Sequence, residues 1–225
     1  MAENEVKDTA SVKLNSYIEK NRTCFVVVLA VVVVALIAFI IGVNVTGKAK
    51  ANALQAIDEI TFTLTDGSGE LEEAELNARR IDALDNLANY VNKGGIVGAR
   101  ANMLCAELTF QQKKYEDAAS YWNAAASKAK KSYIAPLAYY NMAASYEQLN
   151  KLDDAAANYK LAADSEGFTL TAHAKFSYGR VLETQDKIAE AVAAYTELND
   201  KYPNDTWAKL AKTRILTLKA EGKAE

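Results

Sequence analysis

The sequence predicts an all-α protein, in which one N-terminal transmembrane helix is followed by an α-solenoid of helical hairpins and a C-terminal capping helix. Residues 24–43 contain no charged side chain. The 225 residues include only 2 prolines and 10 glycines, which leaves room for long helices. A pattern of small and aromatic residues recurs around Ala118, Ala155 and Ala191, which are 37 and 36 residues apart. A repeat of this length is typical of stacked helical pairs.

The first element is the polar segment 1–23, whose acidic and basic side chains are mixed. Leu14, Tyr17 and Ile18 could form one or two amphipathic turns. Terminal segments with few apolar residues rarely fold alone, so the sequence predicts a mobile N-terminal tail here.

The apolar segment 24–43 comes next. A helix of this length spans ~30 Å, the thickness of the hydrocarbon core of a bilayer. This predicts a transmembrane helix that contacts the lipid bilayer through residues 24–43. The alternative is a cleaved secretory signal, for which 49–51 and 51–53 offer small residues at a cleavage site. The apolar core of a signal is shorter, at ~7–15 residues, which favours the anchor.

The distribution of basic residues predicts the orientation of this helix. More lysine and arginine residues precede it than follow it: Lys7, Lys13, Lys20 and Arg22 before, Lys48 and Lys50 after. Such a bias favours an N-terminus in the cytoplasm and a large C-terminal part on the other side of the membrane.

Residues 47–95 are predicted to form a divergent helical pair or linker that caps the array. A loose apolar stripe continues as helix to Thr65, and the run 66–69 is rich in turn residues. Apolar residues at helical spacing then predict an amphipathic helix within 70–91: Leu76, Ile81, Leu84, Leu87 and Tyr90. Gly94-Gly95 is expected to end this helix.

Residues 99–220 are predicted to form three helical pairs, 99–131, 135–167 and 171–203, followed by a helix over 206–220. In each pair an aromatic residue follows an alanine by four positions: Trp122, Tyr159 and Tyr195. Large and small residues placed in this way let antiparallel helices approach closely. In the last helix, Trp207, Leu210 and Leu216 are expected on one side.

The residues within these pairs resemble the tetratricopeptide (TPR) motif, in which a large residue, Leu-Gly, Tyr, Ala, Phe, Ala and Pro recur at fixed offsets. The matching residues of the third pair are Tyr178, Gly179, Leu182, Ala191, Tyr195, Leu198 and Pro203. In layout, the chain is similar to the bacterial inner-membrane TPR proteins that act as ancillary subunits of the Sec translocon. That resemblance implies a single-pass protein of the bacterial inner membrane with a periplasmic TPR domain, which binds proteins near the translocon.

The first helices of the pairs line the concave face of a TPR array. The candidate peptide-groove residues are Arg100, Met103, Glu107, Tyr140, Asn141, Gln148, His173, Phe176 and Arg180, with Leu104, Ala144 and Ser177 beside them. Asn141 and Arg180 could bind the polar groups of a peptide, while Tyr140 and Phe176 could hold apolar side chains. TPR domains that clamp a C-terminal carboxylate use an Asn, then a Lys and an Arg. Only Asn141 fits that pattern.

The sequence gives no support for an enzyme. It contains one histidine, His173, and no recognisable catalytic, metal-ligating, cofactor-binding or nucleotide-binding motif. The net charge is −3 and no basic stripe occurs, so a nucleic-acid partner is not expected. Cys24 and Cys105 are not expected to form a disulfide.

We therefore interpret the chain as a membrane-anchored protein–protein interaction scaffold with a protein or peptide partner. A translocon-associated or chaperone-like adaptor is the specific role that the resemblance implies. A structural, self-associating membrane protein that forms homo-oligomers is the alternative. An enzyme is the third class, and the repeats do not suggest one.

Overall fold

The computed structural model describes residues 2–224, and within them it is helical throughout, with no strand. This confirms the predicted all-α class. The helices are α1 (Ala2–Lys20), α2 (Arg22–Thr65), α3 (Glu73–Leu87), α4 (Gly95–Gln111), α5 (Tyr115–Lys128), α6 (Ile134–Gln148), α7 (Leu152–Ala163), α8 (Thr171–Thr184), α9 (Ile188–Lys201) and α10 (Thr206–Ala220). A short 3₁₀ turn, Ser68–Glu70, lies between α2 and α3.

The chain divides into two compact units, Met1–Asn52 and Ala53–Glu225. In the first unit Ala2–Lys20 is helical, whereas the sequence predicts a mobile tail over residues 1–23. Residues 2–20 contain no glycine or proline, and the described side chains from 11 to 20 are exposed. For residues 11–20, local helix propensity rather than burial therefore explains the helix.

The apolar segment 24–43 lies within α2, and its side chains are exposed. An 18-residue window of this helix has a mean hydropathy of 3.6. By length and composition, the helix can cross a membrane.

In the second unit, each helix from α4 to α10 packs against the next one along the chain. The bounds of α10 are those predicted from the sequence, and α8 and α9 lie within the predicted pair 171–203. The bounds differ most at Gly94-Gly95, which was expected to end a helix. Instead Gly94 precedes the first residue of α4, while α3 already ends at Leu87. The buried residues of α3 include Ala83 and Leu87, whereas Ile81 is exposed.

Alanines at the centre of each hairpin allow the helices to approach closely. Ala118, Ala155 and Ala191 are completely buried, as expected from their recurrence. In the third hairpin even alanine would be too large at position 179. A Cβ added to Gly179 would lie 2.5 Å from Cε1 of the buried Tyr195 ring. The glycine is therefore required for the contact between α8 and α9.

The turns inside the three hairpins share one backbone conformation. Lys113, Asn150 and Asp186 are left-handed, with φ of 61°, 55° and 60°. In the second hairpin the amide of Lys151 donates to the carbonyl of Tyr146 over 2.9 Å, which closes the helix end. Equivalent bonds close the other two turns. None of these left-handed residues is a glycine.

The last helix, α10, packs on α8 and α9, but only partly through the residues expected. Trp207 packs against the buried cluster, whereas Leu210 and Leu216 are exposed. The buried residues are Ala208, Ala211 and Leu218, so the apolar spacing in the sequence was right for one residue of three.

Candidate functional site

The candidate peptide-binding surface is the face formed by α4, α6 and α8, called here the groove face. All nine candidate residues lie on these three helices. They do not form one continuous site, because most of them contact other residues of the chain. The differences between the three hairpins show which part of the face is available.

Arg180 is engaged by Glu147. Its Nη1 and Nη2 donate to the two carboxylate oxygens of Glu147, each over 2.7 Å, which joins α8 to α6. The Tyr159 hydroxyl, on α7, donates to Oε2 of the same carboxylate over 2.6 Å. Glu147 in turn raises the pKa of Arg180. The guanidinium is therefore a structural cation, with its fork already occupied.

The same three-residue arrangement recurs in the next hairpin. Arg214 Nε donates to both oxygens of Glu183 over 2.8 Å, and the Tyr195 hydroxyl donates to Oε2 over 3.3 Å. The hydrogen bond from Arg214 lowers the pKa of Glu183. Burial raises the pKa of Tyr195, so the phenol stays protonated as the donor. We call these two arrangements the Glu–Arg–Tyr links.

Trp207 of α10 covers the third hairpin's part of the groove face. Its indole stacks on the His173 imidazole with ring centroids 3.8 Å apart and an interplanar angle of 6°. Phe176 lies against the same indole, at 5.3 Å between centroids. The Tyr140 hydroxyl lies 2.9 Å from His173 Nε2. Burial, and secondarily Arg180, lower the pKa of His173, so the ring is neutral near pH 7.

Two candidates of the first hairpin are also engaged. Arg100 Nη2 is 2.5 Å from Asp58 Oδ1 of α2. Met103 packs against the buried cluster around Trp122. In the second hairpin, Gln148 is exposed at the end of α6.

Glu107 and Asn141 remain, and the structure brings them together. They line a cavity of about 210 Å³ between α4 and α6, whose other walls are Phe110, Gln111, Trp122 and Ala144. We call it the α4–α6 cavity. Glu107 is exposed, and the neighbouring side chains desolvate its carboxyl enough to raise the pKa. Within the part of the chain that the structure describes, its carboxylate has no ion pair, and the Trp122 Nε1 has no acceptor.

Sequence reasoning missed Trp122, Glu147 and Arg214 as residues of this face. The repeat pattern places Trp122 in the packing between two helices, and the structure shows that this buried residue also lines the cavity. Glu147 and Glu183 are each the penultimate residue of a first helix, so their recurrence was visible in the sequence. Their arginine partners lie one hairpin further along and are recognisable only from the packing.

Comparison with known proteins finds similarity to repeat proteins. A family model described as a tetratricopeptide repeat-like domain matches residues 15–221. A TPR repeat-containing protein of Treponema pallidum (strain Nichols) is 30% identical over 139 residues, which are 62% of this chain. The chain spans 58% of the length of that relative.

Proposed function

Because this chain belongs to the tetratricopeptide repeat-like family, we propose that it is a membrane-anchored scaffold whose groove face binds an extended peptide segment of a partner protein. Such arrays use the first helices of successive pairs as a binding surface. Proteins of this family are generally non-catalytic, which agrees with a binding role.

The observation that carries the peptide-binding proposal is the α4–α6 cavity. It lies on the face that repeat arrays use, and it combines polar groups with an aromatic wall. Elsewhere on the groove face the charged groups are already paired, as in the Glu–Arg–Tyr links, although Gln148 is exposed. The polar groups that remain available to a partner therefore lie mainly between the first two hairpins.

The exposed apolar part of α2 supports the anchoring. Along residues 24–43 the helix exposes valine, isoleucine, leucine and phenylalanine side chains to solvent. Water-soluble proteins rarely leave so large an apolar surface uncovered, whereas lipid tails cover it at no cost.

For the cellular role, we propose an adaptor in the bacterial inner membrane, with its N-terminus in the cytoplasm and its repeats in the periplasm. There it would bind exported chains close to the translocon or act beside chaperones. The excess of basic residues before the apolar segment supports this orientation.

Site-specific photocrosslinking in intact membranes tests the scaffold. A crosslinking amino acid at Asn141 or Gln148 is expected to trap a defined protein. The same group at Ala157, an exposed position of α7 outside the groove face, is the control. Identical products from all three positions would contradict binding on the groove face.

The same membranes test the anchor. The chain is expected to stay in the pellet after an alkaline carbonate wash. In spheroplasts, external protease should digest the repeats and spare the N-terminal segment. Release by carbonate, or protection of the repeats, would contradict the anchor or the orientation respectively.

A further inference from the structure

We propose that the α4–α6 cavity is a subsite for a basic side chain, Lys or Arg, of an extended peptide. The Glu107 carboxylate would face the cation, and the Trp122 indole N–H would donate to a neighbouring peptide carbonyl. The inference rests on the proposed peptide-binding function and names the chemistry of its ligand.

The cavity occupies the place where the other hairpins carry their Glu–Arg–Tyr links. Phe110 is the penultimate residue of α4, as Glu147 is of α6 and Glu183 of α8. Trp122 follows the buried alanine of its hairpin by four residues, as Tyr159 and Tyr195 do. The position of Arg180 is occupied by Ala144. The first interface therefore lacks both the carboxylate and the guanidinium that fill this space elsewhere.

The missing carboxylate leaves a buried donor without an acceptor. Tyr159 and Tyr195 donate to glutamates, whereas the Trp122 side chain is only 2% exposed and no described residue accepts from its Nε1. An unsatisfied buried donor costs about 1–3 kcal/mol. A peptide carbonyl in the cavity would supply the acceptor, and the free energy gained would contribute to binding.

The charge of the groove face selects a basic ligand. The charged side chains of α4, α6 and α8 are Arg100, Glu107, Glu147, Lys175, Arg180 and Glu183. All except Glu107 form ion pairs with described residues. Glu107 is itself exposed where it lines the cavity, and partial desolvation without a counter-charge raises its pKa. A ligand cation would compensate this carboxylate, as Arg180 compensates Glu147.

The size and lining of the cavity agree with one side chain. About 210 Å³ is smaller than the usual site of a small-molecule ligand. Phe110 and Trp122 contribute aromatic surface, and aromatic faces attract lysine and arginine cations. The Asn141 amide can donate to or accept from the peptide backbone.

The test uses the full chain in lipid nanodiscs with ¹⁵N-labelled indoles. The chain contains two tryptophans, so the indole resonance that remains in a Trp207→Phe variant is that of Trp122. The probes are capped tripeptides, acetyl-Ala-X-Ala-amide, in which X is lysine, norleucine or glutamate. We expect the lysine peptide to shift the Trp122 indole resonance saturably and to bind about tenfold more tightly than the norleucine peptide.

Glu107→Gln keeps the shape of the side chain and removes its charge. We expect the preference for lysine over norleucine to fall to about twofold or less in this variant. Its thermal midpoint should be no lower than that of the parent, because an uncompensated carboxylate is removed. Asp117→Asn, at an exposed position of α5 outside the cavity, is the charge-matched control and should change neither quantity.

Three results would overturn the subsite: no shift of the Trp122 indole with any peptide, equal affinity for lysine and norleucine peptides, or an unchanged preference in Glu107→Gln. The comparison of peptides on the parent chain does not depend on the variant folding. If crosslinking from Asn141 still traps a partner, the subsite fails and the scaffold stands. If that trapping also fails, the proposed function falls with it.

Discussion

At the scale of single residues, the missing side chain of Gly179 determines how closely the Tyr195 ring lies to a helix of the groove face. Gly179 has no Cβ, which lets the Tyr195 ring lie against α8. From there the Tyr195 hydroxyl reaches Glu183. The equivalent position in the second hairpin is Ala143, which is completely buried beside Tyr159. One methyl group is therefore accommodated in the second hairpin and excluded in the third.

Gly179→Ala is expected to lower the stability of the protein, which is the opposite of the usual effect of this change. Inside a helix this change normally stabilises, by up to about 1 kcal/mol. Here the new methyl would overlap the Tyr195 ring, so we expect the free energy of unfolding to fall by about 1–3 kcal/mol. Urea denaturation followed by tryptophan fluorescence measures it, since Trp122 and Trp207 both lie in the repeat unit.

Gly69→Ala is the matched control, because a Cβ there meets nothing within 4 Å and the backbone has no positive φ. It should leave the free energy of unfolding nearly unchanged. A stabilised Gly179→Ala variant would show that the ring moves aside at little cost.

At the scale of elements, the hairpin turns set the register of the helices with three left-handed residues that are not glycine. Asn150 and Asp186 are short polar residues, which tolerate this conformation. Lys113 has a long side chain and no such advantage. The first turn is therefore more strained than the other two.

Lys113→Gly should relieve that strain. The left-handed conformation costs a non-glycine residue about 1–2 kcal/mol. Glycine removes this cost, but its greater conformational freedom in the unfolded chain offsets part of the gain. We expect the free energy of unfolding to rise by about 0.5–1 kcal/mol, measured by urea denaturation.

The neighbouring substitution Lys114→Gly is the control. This residue has φ of −87°, so a glycine there relieves nothing and only adds freedom to the unfolded chain. It should lower the free energy of unfolding slightly. Equal effects of the two glycines would contradict a strained first turn.

At the scale of the whole molecule, ion pairs join helices of the repeats, both within a hairpin and between hairpins. Arg180 joins α8 to α6, Arg214 joins α10 to α8, and Lys175 joins α8 to Glu197 of α9. The first interface of the array lacks such a link on the groove face and has a cavity instead. The repeats thus resemble one another in their buried alanines but differ in the contacts between hairpins.

These links predict acid lability. Hydrogen bonds from Lys175 and then Lys201 lower the pKa of Glu197 from 4.5 to about 2, and Arg214 lowers that of Glu183. A carboxyl whose pKa is lower when folded stabilises the protein above its unfolded pKa. That contribution is lost as the pH falls through the folded value. We therefore expect the free energy of unfolding to decrease between about pH 4.5 and pH 2.

Glu183→Gln should make this decrease shallower, as measured by urea denaturation at a series of pH values. Glu190→Gln is the control, since Glu190 is exposed on α9 and has no ion pair with a described residue. An identical pH slope in the two variants would show that the Arg214 link does not contribute.

The sequence by itself determined the helical class, the apolar segment and most of the helix bounds in the repeats, because these depend on local spacing. Small and aromatic residues at helical intervals define α8 and α9 wherever those helices pack. The tertiary structure alone decided which groove residues remain free. Arg180 and Glu107 look equally available in the sequence, yet one pairs with Glu147 and the other borders a cavity. That difference depends on side chains from neighbouring hairpins, which only packing brings within a few ångströms of each other.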